Sequence, residues 1–84
     1  MKSSEILLQN LEKLHTTPLG MQRIKGNLEL KTDHVMDHIK KQIQSPSCSI
    51  RCLGKNYYAE IETVCYTINA SSYTVITAHK LTHK

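Results

Sequence analysis

The stretch LHTTPLGMQRI, at residues 14–24, combines residue types that can bind and cleave a phosphodiester. A helix starting after Thr17 would present unpaired backbone N–H groups to an anion, and Gly20 would let a phosphate approach the backbone. Arg23 could bind that phosphate with both guanidinium nitrogens. His15 is of the type that serves as general acid or base near neutral pH. Thr-Pro is also an ordinary helix start with Thr17 as the cap, and structural capping is the plainer interpretation of these residues.

A second histidine, in the stretch ITAHK at residues 76–80, could complete this acid–base chemistry. If His79 lies at a strand end beside an open polar face, it could act as the acid or base opposite His15. A half-exposed histidine on an edge strand is the plainer interpretation. Lys55, in the turn GKN, could add positive charge, although a turn lysine is commonly just solvated. Glu60 could replace His15 as the base, although glutamates are usual on solvated sheet faces.

Composition bounds the class of protein. The 84 residues carry a formal net charge of +4, with three cysteines and neither Trp nor Phe. This length predicts one domain over residues 1–84, with a thin aliphatic core and no large internal cavity. The basic excess suits a polyanion such as RNA without requiring one. An odd number of cysteines fits no disulfide framework, which predicts a reducing cytoplasm with the cysteines as small buried residues.

Neither a membrane nor a bound metal is expected from the sequence. No apolar run approaches the length that spans a bilayer. The cysteines lack the paired spacing of a zinc site. His34 and His38 are one helical turn apart and could share an ion, but no third ligand is evident. We therefore predict no cofactor.

Apolar residues at helical spacing predict three helices in residues 1–46, the helical part of the chain. The first begins at Ser3 or Ser4 and should end near residue 15 or 16, since the residue before a proline resists the helical conformation. The second has Thr17 as its N-cap and Pro18 in its first position, and Gly26 is its expected stop. The third covers DHVMDHIKKQIQ, begins at residue 32 or 33, and ends at SPS.

From residue 47 to 80 the apolar period changes to two, which predicts four strands: CSIRCL, YYAEIE, VCYTIN and YTVITAH. Short turns between them indicate an antiparallel meander. Three helices followed by a meander predict an α+β fold of two layers, with the helices packed on one face of the four-stranded sheet.

Alternation assigns most side chains to a face of this sheet. The residues predicted to face the helices are Cys48, Ile50, Cys52, Tyr57, Ala59, Ile61, Val64, Tyr66 and Ile68. The other face is predicted to be polar and solvated, with Arg51, Tyr58, Glu60, Glu62, Thr67 and Asn69, and Cys65 also falls on that side. The last strand is ambiguous, because Tyr73, Val75, Thr77 and His79 compete with Thr74, Ile76 and Ala78.

Several longer motifs carry a resemblance to a known family. These are LHTTPLGMQRIKGNL, the following SP, GKNYY and YTINASSYTVITAHK. With them the chain resembles, from about Leu11 to Lys80, a family of small bacterial proteins classed as a domain of unknown function. This resemblance implies a fold shared with that family and no particular activity.

The predicted architecture also resembles a broad group of small ribonucleases and toxins that includes barnase, colicin D and the RelE toxins. In that group, catalytic residues gather on the open sheet face and an adjacent helix. Carried over to this chain, the resemblance implies a cleft formed by His15, Arg23, Lys55, Thr74 or Thr77, and His79. No residue motif of a characterised member matches, and a shared architecture is weak evidence for function.

Two functions from different classes follow. The first is metal-independent RNA cleavage by a toxin-like domain, with His15 and His79 as acid and base, Arg23 and Lys55 stabilising charge, and Thr17 and Gly20 holding phosphate. A cognate protein inhibitor would then be an expected partner. The second is a non-catalytic module that binds nucleic acid or protein through the open sheet face. Either is compatible with a monomer or with a homodimer through the apolar edge strand YTVITA.

Overall fold

The change of apolar period near residue 47 marks the boundary between a helical layer and a sheet. The computed structural model describes residues 3–30 and 34–81. Its elements, in chain order, are α1 (Ser3–Gln9), a 3-10 turn (Leu11–Lys13), α2 (Pro18–Leu28), α3 (Val35–Gln44), β1 (Ser49–Leu53), β2 (Asn56–Ile61), β3 (Val64–Asn69) and β4 (Val75–Lys80).

The strands form one antiparallel sheet in the order β1-β2-β3-β4, and the helices pack on one of its faces. The predicted α+β fold is therefore confirmed. Residues from both layers form the core: Leu7, Leu11, Leu14, Ile24, Leu28, Val35, Ile39, Ile43, Tyr57, Ala59, Ile61, Tyr66, Ile68, Val75 and Ala78. Within the described residues, no helix is long and apolar enough to cross a membrane.

The first helix is shorter than predicted. It ends at Gln9 because the Asn10 side chain donates to the carbonyl of Ile6 at 2.8 Å, the acceptor that the Asn10 N–H would use in a continuing helix. That N–H donates instead to the Leu7 carbonyl at 3.0 Å. The chain then tightens into the 3-10 turn, which keeps Leu11 and Leu14 in the core.

The predicted end of the second helix is also wrong, although its start is confirmed. Gly26 lies inside α2, and the helix stops at Glu29, whose φ of 55° is left-handed. The N–H of Leu30 donates to the Lys25 carbonyl at 3.0 Å, and that of Glu29 to Gly26 at 3.4 Å, which is a Schellman ending. Lys80 of β4 donates to the Glu29 carboxylate at 2.9 Å and lowers its pKa. The predicted start of the third helix, at Thr32 or Asp33, lies outside the described residues.

The ambiguity of the last strand has a structural cause. Thr67 pairs with Thr77 and Ile68 with Val75, so Ile76 is an extra residue, a β-bulge. Before the bulge the odd-numbered Val75 is buried, and after it the even-numbered Ala78 is. Each of the two competing alternations therefore holds for part of β4, and Thr77 and His79 fall on the face away from the helices.

Several predicted strand residues take different positions. The bounds of β3 agree with the predicted VCYTIN, and those of the other three strands differ from the predicted ones by one or two residues. Glu62 lies in the turn after β2, not on the solvated face. The cysteines are only partly the buried residues that were expected: all three are free, and Cys65 is buried, Cys48 half-buried and Cys52 exposed. Cys65 is covered although it lies on the face away from the helices, in register between Glu60 and His79.

Candidate functional site

His15 is fixed to the start of β4 by its backbone. Its N–H donates to the Tyr73 carbonyl at 3.2 Å, and its carbonyl accepts from the N–H of Val75 at 2.7 Å. This is a parallel bridge centred on Thr74. The chain between the 3-10 turn and α2 therefore runs along the outer edge of β4 and holds His15 in one place.

Both ring nitrogens of His15 are bonded within the chain. Nδ1 lies 2.8 Å from the Lys13 carbonyl, which can only accept, so Nδ1 carries the proton. In the neutral ring Nε2 then accepts from the hydroxyl of Thr74 at 3.0 Å. The Ser72 hydroxyl lies 2.7 Å from that of Thr74. We call Lys13, His15, Ser72 and Thr74 the His15 corner; His15 is exposed and Thr74 half-buried.

The loop between β3 and β4 is organised by Asn69. Its side-chain oxygen accepts from the N–H groups of Ser71 and Ser72, each at 2.9 Å. This Asx turn positions Ser72 beside Thr74. The roles of Asn69 and Ser72 were not predicted, although an Asn at the start of a turn, here Asn-Ala-Ser-Ser, commonly accepts from backbone N–H groups further along the turn.

Lys55 lies in the β1–β2 turn, at the end of the sheet that also carries the β3–β4 loop. The carbonyl of Lys55 accepts from the N–H of Ala70 at 2.8 Å, which joins the β1–β2 turn to the β3–β4 loop. The Lys13 ammonium lies 5.7 Å from the centre of the Tyr73 ring, where a cation is attracted to the aromatic face. Lys13 therefore lies within the His15 corner, and the turn that carries Lys55 contacts the loop that carries Ser72.

The start of α2 has the geometry of a capped helix. The Thr17 hydroxyl accepts from the N–H of Gly20 at 3.0 Å, the Thr17 carbonyl accepts from Met21 at 2.8 Å, and Pro18 has no N–H. Within the first turn this leaves only the N–H of Leu19 for an anion. The geometry therefore supports the capping interpretation of LHTTPLGMQRI over an anion site.

Gly20 is buried, and its missing side chain serves packing. A Cβ there would lie 2.4 Å from the hydroxyl oxygen of Thr16, which itself donates to the Val75 carbonyl at 2.8 Å. Arg23, one turn further, is exposed and makes no hydrogen bond to the described residues. Among the residues that the structure describes, the hydrogen-bond partners of the His15 ring are Lys13 and Thr74, not Gly20 or Arg23.

Replacing Thr17 by alanine should lower the free energy of unfolding by about 1 kcal/mol, because the Gly20 N–H loses its acceptor at the helix start. Urea denaturation followed by circular dichroism measures the change. Aspartate at position 17 restores an acceptor and should recover most of the loss. Equal stability of the alanine variant and the wild type would contradict the cap.

His79 does not share the His15 corner. It pairs with Cys65 near the far end of β4, whereas His15 contacts Thr74 at the beginning. The five residue steps from Thr74 to His79 span roughly 16 Å at about 3.3 Å per residue. No cavity is found within residues 3–30 and 34–81. The structure thus brings His15 and Thr74 together, with Lys55 nearby, and leaves His79, Thr77 and Arg23 apart from them.

The second group of candidate residues lies on the sheet face opposite the helices. In register across all four strands run Arg51, Tyr58, Thr67 and Thr77. Arg51 also donates to the carboxylate of Glu60 at 2.8 Å. We call Arg51, Tyr58, Glu60, Thr67, Thr77 and His79 the open face.

Cys65 lies in register between Glu60 and His79 of the open face but does not supply a reactive thiol. Burial raises its pKa, and the Glu60 carboxylate raises it further, while Arg51 acts in the opposite direction. The thiol is therefore protonated near neutral pH and is a poor nucleophile. The chemistry of the open face belongs to its arginine, its aromatic ring and its hydroxyls.

The family described as protein of unknown function DUF3781 matches residues 8–79. The chain belongs to this family. No curated protein and no solved structure matches the chain. The DUF3781 description assigns no activity, so the function has to be argued from the two groups of residues described above.

Proposed function

We propose that this DUF3781 protein is a non-catalytic module that binds single-stranded RNA across the open face. The supporting observation is the row of Arg51, Tyr58, Thr67 and Thr77, which crosses all four strands on the side that no described helix covers. An open antiparallel sheet bearing an aromatic ring and a cation is a common surface for unstacked bases.

Each residue of the row has a chemical role in this proposal. The ring of Tyr58 offers a face on which a base can stack, and stacking tolerates any base. The guanidinium of Arg51, its neighbour in register, can contact a phosphate or stack on a base. The hydroxyls of Thr67 and Thr77 can donate to and accept from base edges or a ribose 2′-hydroxyl.

Charge makes a smaller contribution than stacking on this surface. The pairing of Arg51 with Glu60 leaves the part of the open face on β1 and β2 nearly neutral. Positive charge lies instead at one end, at Lys55, within a chain of net charge +4. Binding should therefore weaken only modestly with added salt, since few counterions are released.

RNA cleavage has less support from the geometry. Cleavage through His15 and His79 requires both rings at one phosphate, and roughly 16 Å of chain separates His79 from Thr74, the residue that the His15 ring contacts. Both nitrogens of His15 are also bonded, to Lys13 and Thr74. A structural role for His15, joining the helical layer to β4, accounts for these contacts.

Fluorescence anisotropy with a labelled, unstructured oligouridine tests the binding proposal. Tyr58→Ala should weaken binding about tenfold or more, because a stacked base contributes about 1–3 kcal/mol. Tyr58→Phe, which keeps the ring, should bind like the wild type. Arg51→Ala should bind more weakly, whereas Arg23→Ala, which removes the same charge from α2, should have little effect.

Two results would overturn the proposal: no binding by the folded wild type, or equal binding by Tyr58→Ala. The same oligonucleotide incubated with wild type in EDTA also tests the cleavage hypothesis. Cleavage that is lost in a folded His15→Ala variant would favour the enzyme over the binding module.

A further inference from the structure

The edge of β4 is closed by the chain itself. The N–H of Val75 donates to the His15 carbonyl at 2.7 Å, and the Val75 carbonyl accepts from the Thr16 hydroxyl at 2.8 Å. Further along, the Ala78 carbonyl accepts from the Asn27 side chain at 3.0 Å. The sequence suggested that the strand YTVITA pairs with a second copy. Most of its outward-pointing backbone N–H and C=O groups are, however, already hydrogen-bonded within the chain.

The other edge of the sheet, β1, is open. Within the described residues no backbone hydrogen bond joins β1 to any segment except β2. Four of its five residues are exposed, and Leu53 is 57 % exposed. The strand contains neither proline nor a bulge, two of the features that protect an edge from pairing, and its one charged residue, Arg51, is already paired with Glu60.

The turn after β1 determines which of its backbone groups point outward. Gly54 and Lys55 form a two-residue hairpin turn, so Leu53 and Asn56 are the hydrogen-bonded pair that closes it. Bonded pairs alternate along an antiparallel ladder. Arg51 is therefore bonded to β2, while the N–H and C=O groups of Ile50 and Cys52 point away from the sheet.

We propose that a second copy of this chain pairs antiparallel with β1, about a twofold axis that passes beside Arg51. In this register Ile50 of each copy lies opposite Cys52 of the other. Every outward N–H and C=O group of these two residues then finds a partner across the axis. The result is one continuous sheet, twice as wide, in which both open faces point the same way.

The distribution of charge supports a second copy over a foreign strand. The twofold axis places the two Arg51 side chains next to each other, which would be unfavourable for unpaired cations. Each guanidinium, however, keeps its own Glu60 carboxylate at 2.8 Å, so the contact is neutral overall. A charged foreign strand would find no free charge on β1 to pair with. The dimer does not depend on RNA binding, although it would double the proposed RNA-binding surface.

Light scattering coupled to size-exclusion chromatography tests the dimer, with the full chain in reducing buffer and without RNA. The wild type should show twice the chain mass at high concentration and dissociate on dilution. Arg51→Glu should be monomeric, since it gathers four carboxylates at the axis in place of two ion pairs. Arg23→Glu, with the same change of charge on α2, should remain dimeric. A monomeric wild type, or a dimeric Arg51→Glu, would overturn the proposal.

A disulfide tests the register independently of charge. In a Cys52→Ser background, Arg51→Cys places a thiol beside its own counterpart in a non-hydrogen-bonded pair, where the Cα atoms are about 4.5 Å apart and can be bridged. Mild oxidation should link the two copies. Ser49→Cys in the same background faces Leu53 of the second copy and should link far less. Equal linking of both variants would contradict this register.

Discussion

Two glycines of the same helix should respond in opposite directions to replacement by alanine. We expect Gly20→Ala to lower the free energy of unfolding by about 1–3 kcal/mol, the usual cost of overpacking. We expect Gly26→Ala to raise it by about 0.5–1 kcal/mol, because alanine is the better residue inside a helix. Both residues lie in α2, between Pro18 and Leu28.

The difference comes from what a Cβ would meet. At Gly20 it would lie 2.4 Å from the Thr16 hydroxyl oxygen, 3.2 Å from that of Thr17 and 3.6 Å from the Val75 carbonyl. Thr16 cannot move aside freely, since its hydroxyl bonds that same carbonyl at 2.8 Å. At Gly26 there is nothing within 4 Å. Gly20→Ala therefore separates α2 from β4 or breaks the bond of Thr16.

Urea denaturation of the two variants measures this difference, and a double-mutant cycle locates its cause. In a Thr16→Ala background the nearest obstacle is gone, so Gly20→Ala should cost clearly less there than in the wild type. A Gly20→Ala variant as stable as the wild type would show that α2 does not need this close approach. Gly20 would then be free for the role in phosphate binding that its sequence context suggested.

The fold was predictable from the sequence because its signals are local and repeated. The change from helical spacing to alternation near residue 47 separates the two layers. The start of α2 was predictable for a similar reason, as Thr17 and Pro18 are a cap and a first residue whatever surrounds them. Such signals do not depend on contacts between distant residues.

Where the predictions differ from the structure, a side chain or a distant contact decides. Asn10 ends α1 by taking the acceptor of its own N–H, and Glu29 ends α2 in a conformation more often adopted by glycine. The bulge at Ile76 reverses the faces within β4, and no alternation pattern reveals where an extra residue falls.

The candidate site was predictable by residue type and only partly by position. His15 and Thr74 are 59 positions apart and meet at 3.0 Å. His79 lies too far along β4 to join them, and a sequence motif does not show how far apart two side chains lie in the fold. The closed edge of β4 depends on Thr16 and Asn27, whose side chains reach across 59 and 51 positions. Only the folded chain shows such contacts.

The chain should lose stability in alkali, and Tyr66 should make the largest single contribution to that loss. Its side chain is fully buried in β3, and its hydroxyl donates to the Gln42 side chain of α3. Burial, with a smaller effect from Cys48, raises the pKa of Tyr66 from 10.0 to about 12. The folded state therefore holds this proton more tightly than the unfolded chain does.

The sign of the pH dependence follows from that difference. Well below pH 10 the Tyr66 hydroxyl is protonated in both the folded and the unfolded chain, so Tyr66 makes its full contribution to the free energy of unfolding. As the pH rises toward 12, the unfolded chain releases the proton first, and stability falls. The loss should be on the order of 2–3 kcal/mol, since the pKa rises from 10.0 to about 12 and one unit of pKa corresponds to about 1.4 kcal/mol.

Urea denaturation of the wild type and of Tyr66→Phe at several pH values isolates this contribution, because the other titrating groups are common to both. At neutral pH the variant should be less stable by about 1 kcal/mol, the usual value of a lost hydrogen bond. Near pH 12 the difference in free energy of unfolding between the wild type and Tyr66→Phe should become smaller or change sign, since phenylalanine has no proton to lose. Gln42→Leu removes the acceptor but keeps the buried phenol, so most of the pH dependence should persist in it. Parallel stability curves for the wild type and Tyr66→Phe would show that burial of Tyr66 does not set the alkaline limit of the fold.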